Sequence, residues 1–554
     1  MSELRLVSLG GVGNVTQNMF VYEYENEMLL VDCGIGFPDS YMPGVDILIP
    51  DISYVLTQVA AGKQIVGMVL THGHDDHIGA LPYLLPHLPV FSIYGSPLTI
   101  GFAQQRVKET PVPNQFQVLE QRQTIQLGRA FTVSSYHMTH SVPDTRHLLI
   151  ETPAGSVYHG SDFKLDPTPV DQRPSDLEHI GLLKAKHVGL MLIDCLRVEE
   201  LGPVPSEITV GPTLRHLMGQ TKGKAVVTLM SSHIHRIQQT IDAAREQGRK
   251  VAFVGRSVEQ NVEVAEKLGL LHVSAGIMVD KKDMDGVPDE KLCVIVAGSQ
   301  GQEGSSLVRA VFGEHQLLSI GPDDSVVFSA DAIPGSEHGF YHAVDELCRN
   351  RIHVVYPNIM PNLHQSGHAS RTEQQQLLSL LSPQYVMPIG GVDRHRYQFI
   401  NFVAQPCGYR DNQVILPEQG QVVVLRDGQV SMGETVPLTP QIVDGLGVGD
   451  VGPAVLSDRR NLSQAGMVVV VIPRVRGKLR TDKIEVVSRG FVFLKEAPEV
   501  AVFIKDHVKQ ALNKPGKHKK IVDMKREIER SLSKALYKII HREPMVLVAF
   551  LDIE

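Results

Sequence analysis

Residues 71–79 read THGHDDHIG and place His72, His74, Asp75, Asp76 and His77 within six consecutive positions. Such density gives an ordinary surface no packing benefit. Neutral imidazole nitrogens and carboxylate oxygens are, however, the ligands that borderline divalent ions such as Zn²⁺ accept. His72, His74, Asp76 and His77 form the spacing H-x-H-x-D-H. On an extended turn, positions i and i+2 reach one ion while i+4 and i+5 reach a second, which suits two ions about 3.5–4 Å apart. Further ligands must come from elsewhere. SYHMTHSVPD offers His137 and His140 just after the apolar run AFTVS, and VYHGSDFKLD offers Asp162 at the end of another. A histidine at a strand end is by itself commonly structural, so it is the combination and order that carry the signal.

These residues need elements to hold them. QIVGMVLT is an apolar, β-branched run with the look of a buried strand, and HIGALPYLLPHLP starts like a helix and is stopped by prolines. The cluster therefore belongs on a strand-to-helix turn, where side chains can converge. Residues 1–208 alternate short apolar strands such as LRLVSLGG, MFVYEY and EMLLVDCG with Gly- and Pro-rich turns, which predicts stacked sheets with helices outside, an αββα layering. From 209 to 352 the rhythm becomes strand, loop and helix (AVVTLM, SSHIHR, IQQTIDAAREQG), the pattern of a separate α/β domain with a parallel sheet. Residues 353–450 are expected to return to the first domain, 451–464 to be a linker, and 465–554 to form a small α+β domain.

Composition narrows the class. The chain has 554 residues, 43% of them hydrophobic and 21% charged, as in a soluble globular protein of two or three domains. No apolar run approaches the roughly 18 residues that span a bilayer, and the N-terminus does not read as a signal peptide. Cys33, Cys195, Cys293, Cys348 and Cys407 stand far apart without a CxxC pair, which argues for a reducing cytoplasm and against a thiolate zinc site. A net charge of −8 gives no global sign of nucleic-acid binding. Lys505, Lys509, Lys514, Lys517, Lys519, Lys520, Lys525, Arg526, Arg530, Lys534 and Lys538 make one local basic region, but Asp506, Asp523, Glu527 and Glu529 interleave, as on a solvated helix face.

The succession VDCG, HGHDDH, THS, GSDFK resembles the metallo-β-lactamase superfamily. SSHIHRIQQ, VGRSVEQN, AGSQGQEGSSL, IPGSE, HQSGHASRTE, VDGLGVGDVG, LSDRRNLSQAGMVVVVI, VSRGFV and REPMVL resemble its β-CASP nucleases, most closely bacterial ribonuclease J, nearly end to end. The fold this implies is a metallo-β-lactamase sandwich with an inserted β-CASP domain and a C-terminal domain. The activity it implies is a cytoplasmic, metal-dependent ribonuclease that cuts 5′→3′ from a 5′-monophosphate and also cuts internally. Its products would serve RNA maturation and decay, including rRNA processing. By the resemblance, two divalent ions, Zn²⁺ or Mn²⁺, are held by His72, His74 and His140 on one side and by Asp76 and His77 on the other. Asp162 bridges them, and Asp32 orients the ligand turn by hydrogen bonds. Asp76 would also orient the attacking water. Asp194, His235 and His368 match further catalytic positions, since a histidine facing the scissile phosphate can stabilise charge or protonate the leaving oxygen. His233, His235, His364, Gln365, Ser366, Gly367 and His368 are expected to touch substrate. In HQSGHAS, Gly367 would let backbone approach a phosphate, so bulk there should weaken RNA binding and leave metal content unchanged. A further cation site is expected at Asp46, Leu48 and Asp444. Homodimers or larger homo-oligomers, and other RNA-decay proteins, are the expected partners.

Two departures matter. GGVGNVTQNM lacks the glutamate of the family's GGxGEIGKNM, and in MPIGGVDRHR Gly390 stands where the family carries a histidine ligand, with Gly391, Arg394 and His395 in register. His395 is a candidate substitute. The rivals are a DNA-processing β-CASP nuclease, which the C-terminal domain disfavours, and a degenerate paralogue that binds RNA or scaffolds a partner. Gly390 favours that second rival, while the intact ligand set opposes it.

Overall fold

The computed structural model describes residues 3–553 except 40, 111, 334, 440, 446, 450, 493–495 and 514–520. Lys514, Lys517, Lys519 and Lys520 of the basic region thus lie outside the described residues. The chain divides into two compact units, residues 1–37 with 48–441, and residues 38–47 with 442–554.

In the first unit two sheets face each other. The larger runs in the order Gln429–Thr435, Gln421–Arg426, Leu4–Gly10, Met19–Tyr24, Glu27–Val31, Gln64–Val69, Ser92–Gly95 and Gln115–Val118; the smaller runs Tyr385–Ile389, Leu190–Asp194, Gly155–His159, Thr145–Thr152, Phe131–Met138 and Thr124–Leu127. Side chains alternate across a strand, so each sheet feeds two cores. From Thr145–Thr152, Leu148 and Ile150 enter the core between the sheets with Phe20, Leu29, Val69 and Leu192. Leu149 points the other way, to Ile180, Leu377, Leu381 and Phe399 of the covering helices. Pro97–Arg106 packs beside Ser92–Gly95 and Gln115–Val118 and buries Leu98, Ile100 and Phe102. This is the expected αββα layering.

Inserted into it is a five-stranded parallel sheet in the order Lys250–Val254, Leu292–Val296, Ala225–Thr228, Ser325–Phe328, His353–Val355. Its strands LCVIV, AVVT and SVVF are buried throughout, as a parallel sheet covered by helices on both faces requires. The strand His353–Val355 belongs to this sheet, so the insert extends past the expected limit at 352. IHVVYP reads the same whichever sheet it joins, and only its pairing with Ser325–Phe328 decides.

The second unit packs Pro498–Leu512 and Ile521–Ile540 on a sheet of Met467–Val475, Lys478–Leu479, Glu485–Arg489 and Met545–Ile553. Ile528, Leu532 and Leu536, four residues apart, meet Val468, Val470, Ile472, Val546 and Val548. The expected linker 451–464 is instead mostly the helix Pro453–Ala465, opened by a proline in its first turn, where no backbone N–H is missed. Of the remaining basic side chains, Arg526, Arg530, Lys534 and Lys538 are exposed on a helix, while Lys505, Lys509 and Lys525 are half-buried, with Lys509 near Asp506 at 3.4 Å and Lys525 near Glu529 at 3.8 Å. Among the described residues, no helix is long and apolar enough to cross a membrane.

Two histidines sit in the sandwich as neutral hydrogen-bonding groups. His159 Nδ1 lies 2.7 Å from the Tyr22 hydroxyl, and His147 Nδ1 lies 2.9 Å from the Tyr158 hydroxyl. Burial pushes both imidazoles down to about 3, from 6.5. Between those values the unfolded chain binds the protons and the folded chain does not. Each group therefore withdraws stability as pH falls below 6.5, at about 1.4 kcal/mol per pH unit. Stability should drop between pH 7 and 5, and His159→Gln should drop less over that interval in thermal unfolding. An equally steep variant would remove His159 as a cause.

Candidate metal centre

The ligand turn is pinned from below by one carboxylate. Asp32, fully buried and at φ +61°, follows the strand Glu27–Val31. Its Oδ1 accepts the Thr71 N–H at 2.7 Å, and its Oδ2 accepts the Thr71 hydroxyl at 2.8 Å. Oδ2 also lies 2.8 Å from His77 Nδ1, which donates to it. That turns His77 Nε2 inward, where it faces Asp162 Oδ2 at 3.5 Å and Asp76 Oδ2 at 3.7 Å, with Asn18 Nδ2 at 3.1 Å. Gly34 of VDCG lets this loop lie so close to the ligand turn, because a Cβ there would meet the Asp76 carbonyl oxygen at 1.6 Å.

Three ring nitrogens converge beside this turn. His74 Nδ1 is 3.1 Å from both His72 Nε2 and His140 Nε2, and Asp162 Oδ2 stands 3.6 Å from the first and 3.7 Å from the second of those Nε2 atoms. Ligands held tetrahedrally at zinc–nitrogen distances lie about 3.3 Å apart, so this donor set fits a small divalent ion. The rings are already in ligand form. Burial, and then their cationic neighbours, hold His72 and His140 well below the ordinary imidazole range and His74 at about 3. His140 Nδ1–H donates to the Gly367 carbonyl at 2.7 Å, which fixes Nε2 as its ligand atom.

Asp76, His77 and Asp162 form a second group, and Asp162, Asp194 and His368 a third. His368 Nδ1–H donates to Asp194 Oδ2 at 2.8 Å, and its Nε2 lies 3.9 Å from Asp162 Oδ2. Burial opposes protonation of His368, but Asp194 and Asp162 outweigh it and raise the imidazole to about 9. His77 is likewise held well above its ordinary value by Asp162, Asp76 and Asp32 against the effect of burial. Burial lifts Asp76 to about 6, with Asp162 adding to it and His77 opposing. The proton that the carboxylates favour on His77 is one that a divalent ion held by Asp76, His77 and Asp162 would have to displace.

Gly390, at φ +66°, ends the strand Tyr385–Ile389 beside this site: a Cβ there would lie 3.4 Å from Asp194 Oδ1 and 3.9 Å from Asp162 Oδ1. His395 does not take the missing place, since its Nε2 faces Glu199 at 3.8 Å.

The other expected site residues are spread around the centre. His235 Nε2 faces Asp171 Oδ2 at 3.4 Å and shares a polar cavity with His140, Lys164 and Arg173. His233 Nε2 faces Glu207 Oε2 at 3.5 Å. His364 Nδ1 and the Gln365 carbonyl both meet Arg236, while the Ser366 hydroxyl accepts the His368 N–H at 3.1 Å. His137 is structural, bonded to the Arg173 carbonyl and to Arg146. Of the expected extra cation site, the Asp444 carboxylate pairs with Arg459, Asp46 Oδ2 accepts the Gly445 N–H, and the Leu48 carbonyl accepts the Gly36 N–H. Sequence reasoning missed Thr71, Ser141, whose hydroxyl lies 3.3 Å from His74 Nε2, and the Arg236–Glu207 pair. The first two sit inside THGHDDH and THS, and Arg236 closes SSHIHR.

Comparison with known proteins decides the family. Family profiles match over residues 12–174 (Metallo-beta-lactamase superfamily), 222–347 (Ribonuclease J, beta-CASP domain) and 454–553 (Ribonuclease J C-terminal domain). Ribonuclease J of Thermus thermophilus is 36% identical over 559 residues, covering 99% of this chain and 95% of the relative. The chain belongs to the ribonuclease J family. Ribonuclease J2 of Bacillus subtilis is 31% identical with 99% of both chains covered, and ribonuclease J of Mycolicibacterium smegmatis is 34% identical, covering 99% of this chain and 97% of the relative. A solved protein of unknown function from Enterococcus faecalis V583 shares the fold at a TM-score of 0.53 and 17% identity, over 77% of this chain and all of its own.

In this ribonuclease J family chain, Gly367 packs directly against the first ligand group. A Cβ at Gly367 would lie 2.8 Å from the Ser141 hydroxyl and 2.9 Å from His140 Cε1, so bulk there displaces a ring of the first ligand group. Gly367→Val is therefore expected to lose bound metal and RNA cleavage together. Metal analysis that found a full complement in an inactive variant would return Gly367 to a substrate-only role.

Proposed function

We propose that this metal-dependent ribonuclease holds two divalent ions and degrades single-stranded RNA 5′→3′ from a 5′-monophosphate, with internal cleavage as a second mode. One observation carries the reading: His72 and His140 each stand 3.1 Å from His74 and 3.6–3.7 Å from Asp162, and His140 is bonded to the 364–368 loop that would receive substrate. Zn²⁺ or Mn²⁺ suits the imidazole and carboxylate donors. The first ion would be held by His72, His74, His140 and Asp162, the second by Asp76, His77 and Asp162. Bound there, the ions supply Lewis-acid charge for the phosphoryl group and make water acidic enough to act as nucleophile near neutral pH.

The chain's own residues do the rest. Asp76 orients the attacking water through its carboxylate. Asp194 holds His368 by its Nδ1–H, so Nε2–H points into the site as a charged donor to a phosphate or leaving oxygen. Asp32 keeps the ligand turn in register through Thr71 and His77. His233 and His235 would line the substrate path together with the 364–368 loop. The degenerate-paralogue reading is disfavoured because His72, His74, His140, Asp76, His77 and Asp162 are present and converge, with Gly390 the one departure.

The two ions should differ in hold. The first has four protein ligands, the second three, and Gly390 adds none. Purified protein should retain one ion and recover the second on adding Mn²⁺ or Zn²⁺. Gly390→His, whose side chain starts beside Asp162, should raise second-site occupancy, and His occurs in left-handed backbone more readily than most residues. Asp162→Ala and His74→Ala should abolish RNA cleavage with the fold retained. Full cleavage by either, or two ions tightly held without added metal, would overturn the two-ion assignment.

A reducing cytoplasm suits five free cysteines. Assembly is read from the second unit, whose sheet has an apolar outer face. Val469 pairs with Leu547 and Val487, and Pro473 with Leu551, all on the side away from the helices. Val487, Leu547 and Leu551 are 43%, 39% and 54% exposed. Such a face calls for cover, and a second copy of the chain is the partner we assign, with RNA-decay proteins as further partners. Leu547→Asp with Leu551→Asp should lower the mass measured by light scattering. An unchanged mass would place the interface elsewhere.

A further inference from the structure

Arg236 is 1% exposed and uses all five of its N–H groups. Nε and Nη2 donate to the two Glu207 oxygens at 2.8 and 2.7 Å; Nη2 also donates to the Gln365 carbonyl at 3.2 Å. Nη1 donates to the Ser329 carbonyl at 2.8 Å and to His364 Nδ1 at 2.5 Å. A guanidinium has no acceptor and keeps its charge in proteins. The contact with His364 therefore has one sense. Nδ1 accepts, so the ring is neutral and carries its proton on Nε2.

That Nε2–H points toward the Asp331 carboxylate, 3.6 Å from Oδ2, which is beyond hydrogen-bonding range. A donor and an acceptor are thus adjacent without satisfying each other, and the Asp331 side chain is 52% exposed. A group seated against both atoms, within hydrogen-bond reach of each, must accept from the one and donate to the other. A ribose 2′-hydroxyl does both. Deoxyribose does neither, and a phosphate oxygen would meet Asp331 as a like charge. The pair sits on or beside the loop whose His368 faces Asp162, at 3.9 Å, so it belongs to the same path and not to the reacting atoms.

We infer that Arg236 is a positioning residue that locks His364 in its Nε2–H form, and that His364 and Asp331 together read the 2′-hydroxyl of one nucleotide of the bound strand. The inference rests on the reading that RNA crosses the 364–368 loop. It narrows the role expected of His364, from a substrate contact to a determinant of RNA over DNA. A hydrolytic reaction does not need the 2′-hydroxyl, so that preference has to be built into the path.

The test uses full-length, metal-loaded enzyme and 5′-monophosphorylated oligoribonucleotides, each with a single 2′-deoxy nucleotide at a successive position. One position should raise KM about tenfold, the effect of losing a hydrogen bond to a charged partner. In Asp331→Ala the all-ribose strand should fall to the level of the deoxy strand, erasing the difference. His364→Gln, which presents an amide N–H near the place of Nε2–H, should keep discrimination that His364→Asn loses. ¹⁵N spectra of the histidines should show His364 as the Nε2–H tautomer, and Arg236→Lys should lose both that signature and the discrimination. If Arg236→Lys does not fold, the spectrum of the native enzyme decides the point alone. Cleavage of RNA with no position sensitive to 2′-deoxy, full discrimination in Asp331→Ala, or a native Nδ1–H tautomer would each overturn the inference. No RNA cleavage at all would instead sink the reading of function on which it rests.

Discussion

The Asp162 carboxylate is the point on which this structure depends. It belongs to all three ligand groups, standing 3.5–3.9 Å from the Nε2 atoms of His72, His77, His140 and His368. With His74 beside them, five imidazoles around one buried carboxylate are unfavourable without compensation, because desolvation and mutual repulsion penalise every proton added. The protein answers by dividing them. His72, His74 and His140 are driven neutral, while His77 and His368, each backed by a further aspartate, are driven cationic. The division supports a site for cations, with neutral nitrogens ready to ligate and protons held only where carboxylates demand them.

Everything that positions Asp162 is a strand end. Gly155–His159 precedes it, Gln64–Val69 precedes the histidine turn, Phe131–Met138 precedes His140 and Leu190–Asp194 ends at Asp194. The two facing sheets deliver these ends to one edge, so the inter-sheet core fixes the ligand distances. A backbone carbonyl and a buried carboxylate then lock two of the rings. The Gly367 carbonyl takes the His140 Nδ1–H, and Asp32 Oδ2 takes the His77 Nδ1–H, so Nε2 of each ring faces inward.

How much of this the sequence disclosed depends on how local each feature is. The H-x-H-x-D-H turn is contiguous, and His140 and Asp162 each follow an apolar run, so spacing alone named candidates and the family resemblance supplied their pairing. The αββα layering was legible from alternation that the two cores reproduce. Two boundaries were not legible. His353–Val355 joins the inserted sheet through pairing that no local pattern encodes, and the stretch expected as a linker holds a helix begun by Pro453. Gly367 looked like an open turn, because nothing in HQSGHAS reports that the His140 ring lies against it. Arg236 was invisible for the same reason, as its partners are 29, 93, 128 and 129 residues away.

Those long-range contacts give the inserted domain a physical reason to matter at the site. Glu207 stands where the chain leaves the sandwich, Arg236 on the first helix after the strand Ala225–Thr228, Ser329 at the end of another inserted strand, and Gln365 where the chain returns. One buried guanidinium joins all four. Leaving such a charge unpaired costs far more than the pair gains, so the arrangement resists partial loss. It also sets two histidines of one loop to opposite states. Arg236 donates to His364 and forbids a proton at that nitrogen, while Asp194 accepts from His368 and favours full protonation. The same five-residue stretch therefore offers a neutral donor at one end and a cation at the other. An uncharged hydroxyl and a charged phosphate need that division, and neither histidine could supply it without its buried partner.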